Sequence, residues 1–331
     1  MDKFRAEISW FTPPVGPGVG YGYAAVETIT ALNQKGIVVN WKVEYPKVQI
    51  SFVQPDFYEG NNSQWRVGYT PWESSQIPIH WVEKMQTRDE IWTPTSYCKE
   101  VFEHYKVNDI IRVVPHGIDP EIWKIENRFL RDKFVFFHVG GPTARKGGQR
   151  VVDAFLDLYE GNLDYILVMK SNEVSEARCI SPMGTFGNVS AHPQILVIPD
   201  VLDIYDLVKL YNKAHCMVYP TNGEGFGLIP FQAIASGLPT ICTNATGCKD
   251  FAELSVPLDS KPTQGVGIHL GSWVEPNKDD LRDKMKYVAD NYDEVKEKTL
   301  HSARVIHNTQ TWGHVAQQII DLSGDKIYER V

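Results

Sequence analysis

The sequence lacks the residue spacings that mark the commonest metal and disulfide chemistries. Its five cysteines, Cys98, Cys179, Cys216, Cys242 and Cys248, form no Cys-x-x-Cys pair, so neither a disulfide framework nor a zinc site is expected. Its ten histidines include no His-Glu-x-x-His, which removes the most familiar metallohydrolase spacing. No apolar run approaches the roughly eighteen residues that a membrane-spanning helix needs. The opening Met1-Asp2-Lys3-Phe4-Arg5 also lacks the apolar core of a signal peptide, and the expectation is a cytoplasmic protein. A basic excess is missing too: 33 Lys and Arg stand against 41 Asp and Glu, a net charge of −8. An extended nucleic-acid groove is therefore not expected, although a local positive site for phosphate is compatible with that balance.

What is present is ordinary globular material, with 43% hydrophobic and 22% charged residues over 331 positions, enough for two cores rather than one. Short apolar runs alternate with amphipathic helical patterns, which is the grammar of an open parallel sheet wrapped by helices. In the second half the strands read as Phe134–Val139, Tyr165–Met169, Ile195–Ile198, Met217–Tyr219 and Thr240–Cys242, with helices at Val151–Tyr159 and Leu202–Asn212 between them. The first half reads as Ile8–Phe11, a helix from about Ala24 to Asn33, then Val38–Val43, Val48–Phe52, Val67–Thr70, Ile91–Thr93 and Ile111–Val114. A polar break at Glu121–Asp132 suggests the linker. Leu281, Met285, Val288 and Tyr292 recur at helical spacing, and a last helix follows Trp312.

Three loops between a strand and a helix could do chemistry. In Thr221-Asn222-Gly223-Glu224-Gly225-Phe226-Gly227-Leu228 a Gly-rich turn opens a helix, so the backbone N–H groups at Phe226, Gly227 and Leu228 suit an anion. Glu224 there is either a carboxylate facing a ligand's hydroxyls or an exposed charge on a capped turn. In His138-Val139-Gly140-Gly141-Pro142-Thr143-Ala144-Arg145-Lys146-Gly147 glycines end a strand and two cations precede a helix, which suits a diphosphate. A third loop, Pro13 to Tyr23 with Gly20 at its end, is Gly-rich but on its own reads as a flexible turn. Glu73, beside Trp72, ends a probable strand and is a candidate polar group for a cleft.

The run Glu224-Gly225-Phe226-Gly227-Leu228, followed by Ala233-Ile234-Ala235-Ser236-Gly237-Leu238-Pro239, closely resembles the signature of the retaining glycosyltransferases of the GT-B fold, the group that includes sucrose synthases and bacterial mannosyltransferases. Gln232 stands where that family has a second Glu holding the donor ribose, and keeps an acceptor oxygen without the charge. Lys146 matches the family's phosphate-binding Lys; Gly141 stands where an Arg is expected, with Arg145 as its substitute. Tyr69-Thr70-Pro71-Trp72-Glu73, Pro115-His116-Gly117-Ile118-Asp119 and Trp273-Val274-Glu275-Pro276 follow in the family's order.

The resemblance implies an α/β chain with two doubly wound domains facing across a cleft, residues 1–127 and 128–311, and a final helix within 312–331 crossing back to the first. It implies metal-independent transfer of a sugar from a UDP-, GDP- or ADP-sugar co-substrate, with retention and no permanently bound cofactor. Glu224, Lys146 and Glu73 would be catalytic; Gly20, Gly140, Gly141, Arg145, Lys146, Phe226, Gly227, Leu228 and Gln232 would bind the donor. The acceptor stays open among saccharide, lipid, protein and modified nucleobase. A sugar-nucleotide epimerase and a non-catalytic sugar-nucleotide binder are the alternatives.

Overall fold

A computed structural model describes residues 4–12, 20–41, 46–58, 62–129, 132–141, 143–171 and 192–330. Of the Gly-rich loop from Pro13 to Tyr23, residues 13–19 lie outside the described residues, as do Pro142 and Cys179. The chain forms two compact units, one of Met1–Asp119, Gly265–Gly271 and Asn308–Val331, the other of Pro120–Gln264 and Ser272–His307.

The first unit begins with β1 (Phe4–Phe11), α1 (Gly20–Gln34), β2 (Val38–Trp41), β3 (Val48–Phe52) and β4 (Trp65–Tyr69). It continues through α2 (Ile79–Gln86), β5 (Glu90–Thr93), α3 (Ser96–His104) and β6 (Ile111–Val113). The strands run β1-β3-β4-β5-β6 in parallel, and β2 lies parallel on β1. Every residue of β3 is buried, as expected of a central parallel strand covered on both faces. α1 turns Ala24, Ala25, Thr28, Ala31 and Leu32 inward, a stripe at helical spacing. Trp72, Trp81 and Trp92 are core residues, with Trp72 and Trp81 ring centroids 4.6 Å apart.

One expectation in this unit is corrected. β4 ends at Tyr69, so Glu73 lies in the following loop rather than at a strand end. Pro71 gives the reason, since it has no N–H to offer a ladder and a strand interior excludes it. Glu73 Oε2 sits 3.8 Å from His269 Nδ1.

The second unit contains β7 (Phe134–Val139), α4 (Gly148–Tyr159), β8 (Tyr165–Lys170), β9 (Ile195–Ile198), α5 (Ile204–Lys213) and β10 (Cys216–Tyr219). After these come α6 (Leu228–Ala235), β11 (Thr240–Thr243), β12 (Val256–Leu258), the hairpin strands β13 (Ser260–Gln264) and β14 (Ser272–Pro276), α7 (Lys278–Asp290) and α8 (Tyr292–Thr309). The order β12-β11-β10-β7-β8-β9, all parallel, is the dinucleotide-fold order with its reversal between β7 and β10.

The apolar pattern Leu281, Met285, Val288, Tyr292 does enter this core, but on two helices rather than one. Asn291 ends α7, its side-chain amide donating to the Tyr287 carbonyl at 2.9 Å, a local bond that competes with continuing the helix.

The chain then returns to the first unit as α9 (Trp312–Ser323) and β15 (Tyr328–Arg330), the latter antiparallel to β1. α9 starts at a capping box made by Thr311 and His314, which satisfies two otherwise orphaned backbone donors. It packs on α1, with Trp312 against Tyr23 and His116. Cys98, Cys216, Cys242 and Cys248 are buried and, among the described residues, form no disulfide. Among the described residues no helix is long and apolar enough to cross a membrane.

Candidate functional site

Where the strand order of a doubly wound sheet reverses, the loops leaving the two central strands part and open a crevice at the strands' carboxyl ends. In the second unit those loops are Gly140–Gly147 after β7 and Pro220–Gly227 after β10. They touch through Gly147, whose φ is +75° and where a Cβ would stand 2.1 Å from the Pro220 carbonyl oxygen. Only glycine tolerates both conditions. Asn222 N–H and Thr221 Oγ1 then donate to the Arg145 carbonyl at 2.8 and 3.0 Å.

This junction brings the cations of one loop onto the carboxylate of the other. Lys146 Nζ donates to Glu224 Oε1 at 2.7 Å, and Arg145 Nη1 lies 3.1 Å from the same oxygen. Tyr219, the last residue of β10, donates its hydroxyl there at 3.0 Å, and Thr221 Oγ1 is 3.1 Å away. All four contacts fall on Oε1, none on Oε2. The Glu224 side chain is 9% exposed. Burial alone would raise its carboxyl, but Lys146 and then Arg145 outweigh burial and hold it at about 2. Two cations therefore converge on one carboxylate oxygen.

Adjacent cations on a helical turn would be expected to diverge, yet both side chains reach Glu224. Their tasks differ. Arg145 also donates to the Gly223 carbonyl at 2.7 Å and so braces the loop, whereas Lys146 makes the shorter contact.

The structure also shows what holds the Glu224 loop from behind. Arg150 on α4 grips Glu275 with Nε and Nη2 at 3.0–3.1 Å and reaches Asn222 Oδ1 at 3.0 Å. Asn222 exchanges bonds with the Val274 backbone. The Trp273-Val274-Glu275-Pro276 passage is therefore a brace. Because Glu275 is 40% exposed, solvent screening leaves this fork about 1 kcal/mol. Arg150→Ala is expected to lower the thermal midpoint by a few degrees in a melting experiment, and an unchanged melt would remove the brace from this account.

Family membership follows from the chain's sequence on this frame. The profile of "Family 4 Glycosyltransferase in conflict systems" matches residues 98–319. The chain belongs to that family. The chain is similar to the capsular polysaccharide biosynthesis glycosyltransferase CapM of Staphylococcus aureus, 28% identical over 144 residues, 41% of this chain and 36% of that protein. It is also similar to putative glycosyltransferase 45 of a Sulfolobus islandicus filamentous virus, 23% identical over 240 residues, 70% of this chain and 64% of the relative. The match thus spans about a third to under two thirds of these relatives' lengths.

Among solved structures, Anabaena HepE in complex with UDP-glucose superposes with a TM-score of 0.72 at 10% identity, covering 96% of this chain and 99% of that one. Sucrose-phosphate synthase from Thermosynechococcus elongatus superposes with a TM-score of 0.72 at 14% identity, covering 96% and 98%. With its two Rossmann-like sheets, the chain has the GT-B fold.

The remaining residues singled out from the sequence fall into two groups. Gly140 and Gly141 follow β7, Gly227 caps α6 with φ +100°, Leu228 is the first residue of α6, and Gln232 lies on the same helix at 6% exposure. The ring of Phe226 packs on Phe231 and Phe251, so any ligand contact there is through its backbone. Gly20, the first residue of α1, and Glu73 belong to the first unit. Tyr219, Arg150 and Asn222 were not singled out from the sequence. Tyr219 carried a readable signal, a polar tip at the last position of a buried strand.

Proposed function

We propose that this family 4 glycosyltransferase moves a sugar from a nucleotide-sugar donor to an acceptor hydroxyl or amine, with retention at the anomeric carbon and without a metal ion. The observation that carries the reading is Glu224, fixed through one oxygen by Lys146 and Arg145 at the reversal of strand order. A diphosphate leaving group suits two adjacent cations, and Lys146, Arg145 and the α6 N-terminus would stabilise it as it departs. Glu224 Oε2, left clear of the four contacts, would accept from donor-sugar hydroxyls and orient the ring. Gln232 would hold the ribose, and Gly140, Gly141 and Gly20 would let backbone approach the phosphates. Glu73, paired with His269, would face the acceptor. The bond from the anomeric carbon to the phosphate oxygen breaks as the acceptor bonds to the same face, and the acceptor's proton passes to the departing phosphate oxygen.

UDP-, GDP- and ADP-sugars incubated with the protein in EDTA, with and without candidate acceptors, test this. Nucleoside diphosphate together with an α-linked product from an α-linked donor is the expected result. An altered sugar released without acceptor would mean epimerisation, and binding without release would mean a non-catalytic binder. Gln232→Glu is expected to preserve or tighten nucleoside diphosphate binding in a calorimetric titration. Its position at 6% exposure makes an unpaired carboxylate costly, so the variant should melt lower until ligand is added. Weaker binding with an unchanged melt would take Gln232 away from the ribose.

A further inference from the structure

His138, on β7, is 1% exposed and stands where β7 and β10 part. The last paired residues of the two strands are Phe137 and Met217. One residue further on, the link is made by a side chain: His138 Nδ1 lies 2.8 Å from the Val218 carbonyl oxygen. A carbonyl oxygen only accepts, so Nδ1 carries the proton. Burial, with a smaller opposing effect from that bond, lowers the ring's pKa to about 4, which leaves a neutral imidazole with a bare Nε2.

That ring sits against the Lys146 loop, the start of α4 and Tyr219. A Cβ at Gly140 would meet Nε2 at 3.2 Å and the Lys146 Cβ at 3.1 Å, and one at Gly148 would meet Nε2 at 3.3 Å. The two glycines therefore let the Lys146 loop and the start of α4 close down on the imidazole. The ring stacks on Tyr219 at 5.9 Å and 25°. Tyr219 holds Glu224 through its hydroxyl, and Lys146 Nζ lies 5.6 Å over the Tyr219 ring.

We infer that His138 is a positioning residue for sugar transfer: its bond to Val218 sets the spacing of β7 and β10 at the crevice and so aligns Lys146 with Glu224. The rate consequences rest on the transfer reading above; the alignment does not. An asparagine amide can occupy the place of Nδ1 and donate to Val218, whereas a glutamine amide reaches the place of Nε2 and cannot.

The test compares His138→Asn with His138→Gln. Asn should keep turnover within about threefold of the parent protein, while Gln should lower kcat by about ten- to a hundredfold and raise donor KM as Lys146 loses its place at the diphosphate. The second measurement needs no turnover. Titration of the Glu224 carboxyl by carbon-13 NMR should give about the parent value in His138→Asn and a clearly higher one in His138→Gln, where Lys146 is no longer seated. Equal kcat and equal Glu224 titration in the two variants would overturn the inference, as would loss in Asn with retention in Gln. A parent protein that releases no nucleoside diphosphate from any donor would reject the transfer reading, and the carboxyl titration would still decide the role of His138.

Discussion

Glu224→Ala is expected to lower turnover by about 10²- to 10³-fold, the usual consequence of removing one preorganised polar group from a reacting centre. Nucleoside diphosphate affinity should stay within a few fold or tighten. That second expectation comes from the geometry, because Lys146 and Arg145 spend part of their charge on Oε1 at 2.7 and 3.1 Å, and without the carboxylate both are available to phosphate.

The variant should also melt lower. Removing one partner from a buried pair costs about 3–5 kcal/mol, and here the low end applies because the Lys146 and Arg145 side chains keep 18% and 19% exposure. Added diphosphate should recover much of the loss by mass action. Glu224→Gln separates charge from shape, as the Tyr219 hydroxyl can still donate to its amide oxygen. Steady-state turnover, titration with UDP, GDP and ADP, and melts with and without diphosphate check these points; an alanine variant turning over within a few fold of the parent would sink the assignment.

The second large effect belongs to Lys146. Lys146→Ala is expected to weaken both nucleoside diphosphate binding and turnover by about ten- to a hundredfold, corresponding to about 1.5–3 kcal/mol for a charge-assisted contact. Arg145→Ala should show a smaller loss in affinity, since Arg145 divides its bonding between Glu224 and the Gly223 carbonyl.

Lys146→Ala also carries a signature in pH. Against the opposing effect of burial, Lys146 and Arg145 depress the Glu224 carboxyl from its ordinary 4.5 to about 2. A depressed carboxyl adds stability that is fully present above the ordinary value and is lost as pH falls toward the folded-state value. The gap in melting temperature between the parent and Lys146→Ala should therefore be widest near neutrality and narrow between pH 4.5 and 2. A gap that stays constant over that window would show that Lys146 does not control the Glu224 charge.

The elements came from local patterns and could be read without the fold. Alternating apolar runs marked β7, β8, β9, β10 and β11 within a residue or two, and Thr221 to Leu228 could be recognised as a loop opening a helix. Those features depend on periodicity and turn chemistry between neighbours in the chain. Glu73 was misplaced at a strand end although a local signal was there to be read: Pro71, with no N–H for a ladder, stops the strand at Tyr69.

The site's chemistry belonged to tertiary structure. Lys146 and Glu224 are 78 positions apart and meet because β10 lies beside β7 in the sheet, with Gly147 closing on Pro220. Arg150, Asn222 and Glu275 form a brace across 125 positions, and His138 is a buried ring whose partner, the Val218 carbonyl, is on another strand. Strand order and long-range charge pairing follow from how whole elements bury their apolar faces against one another, so the sequence determined the parts and the packing decided which of them share a crevice.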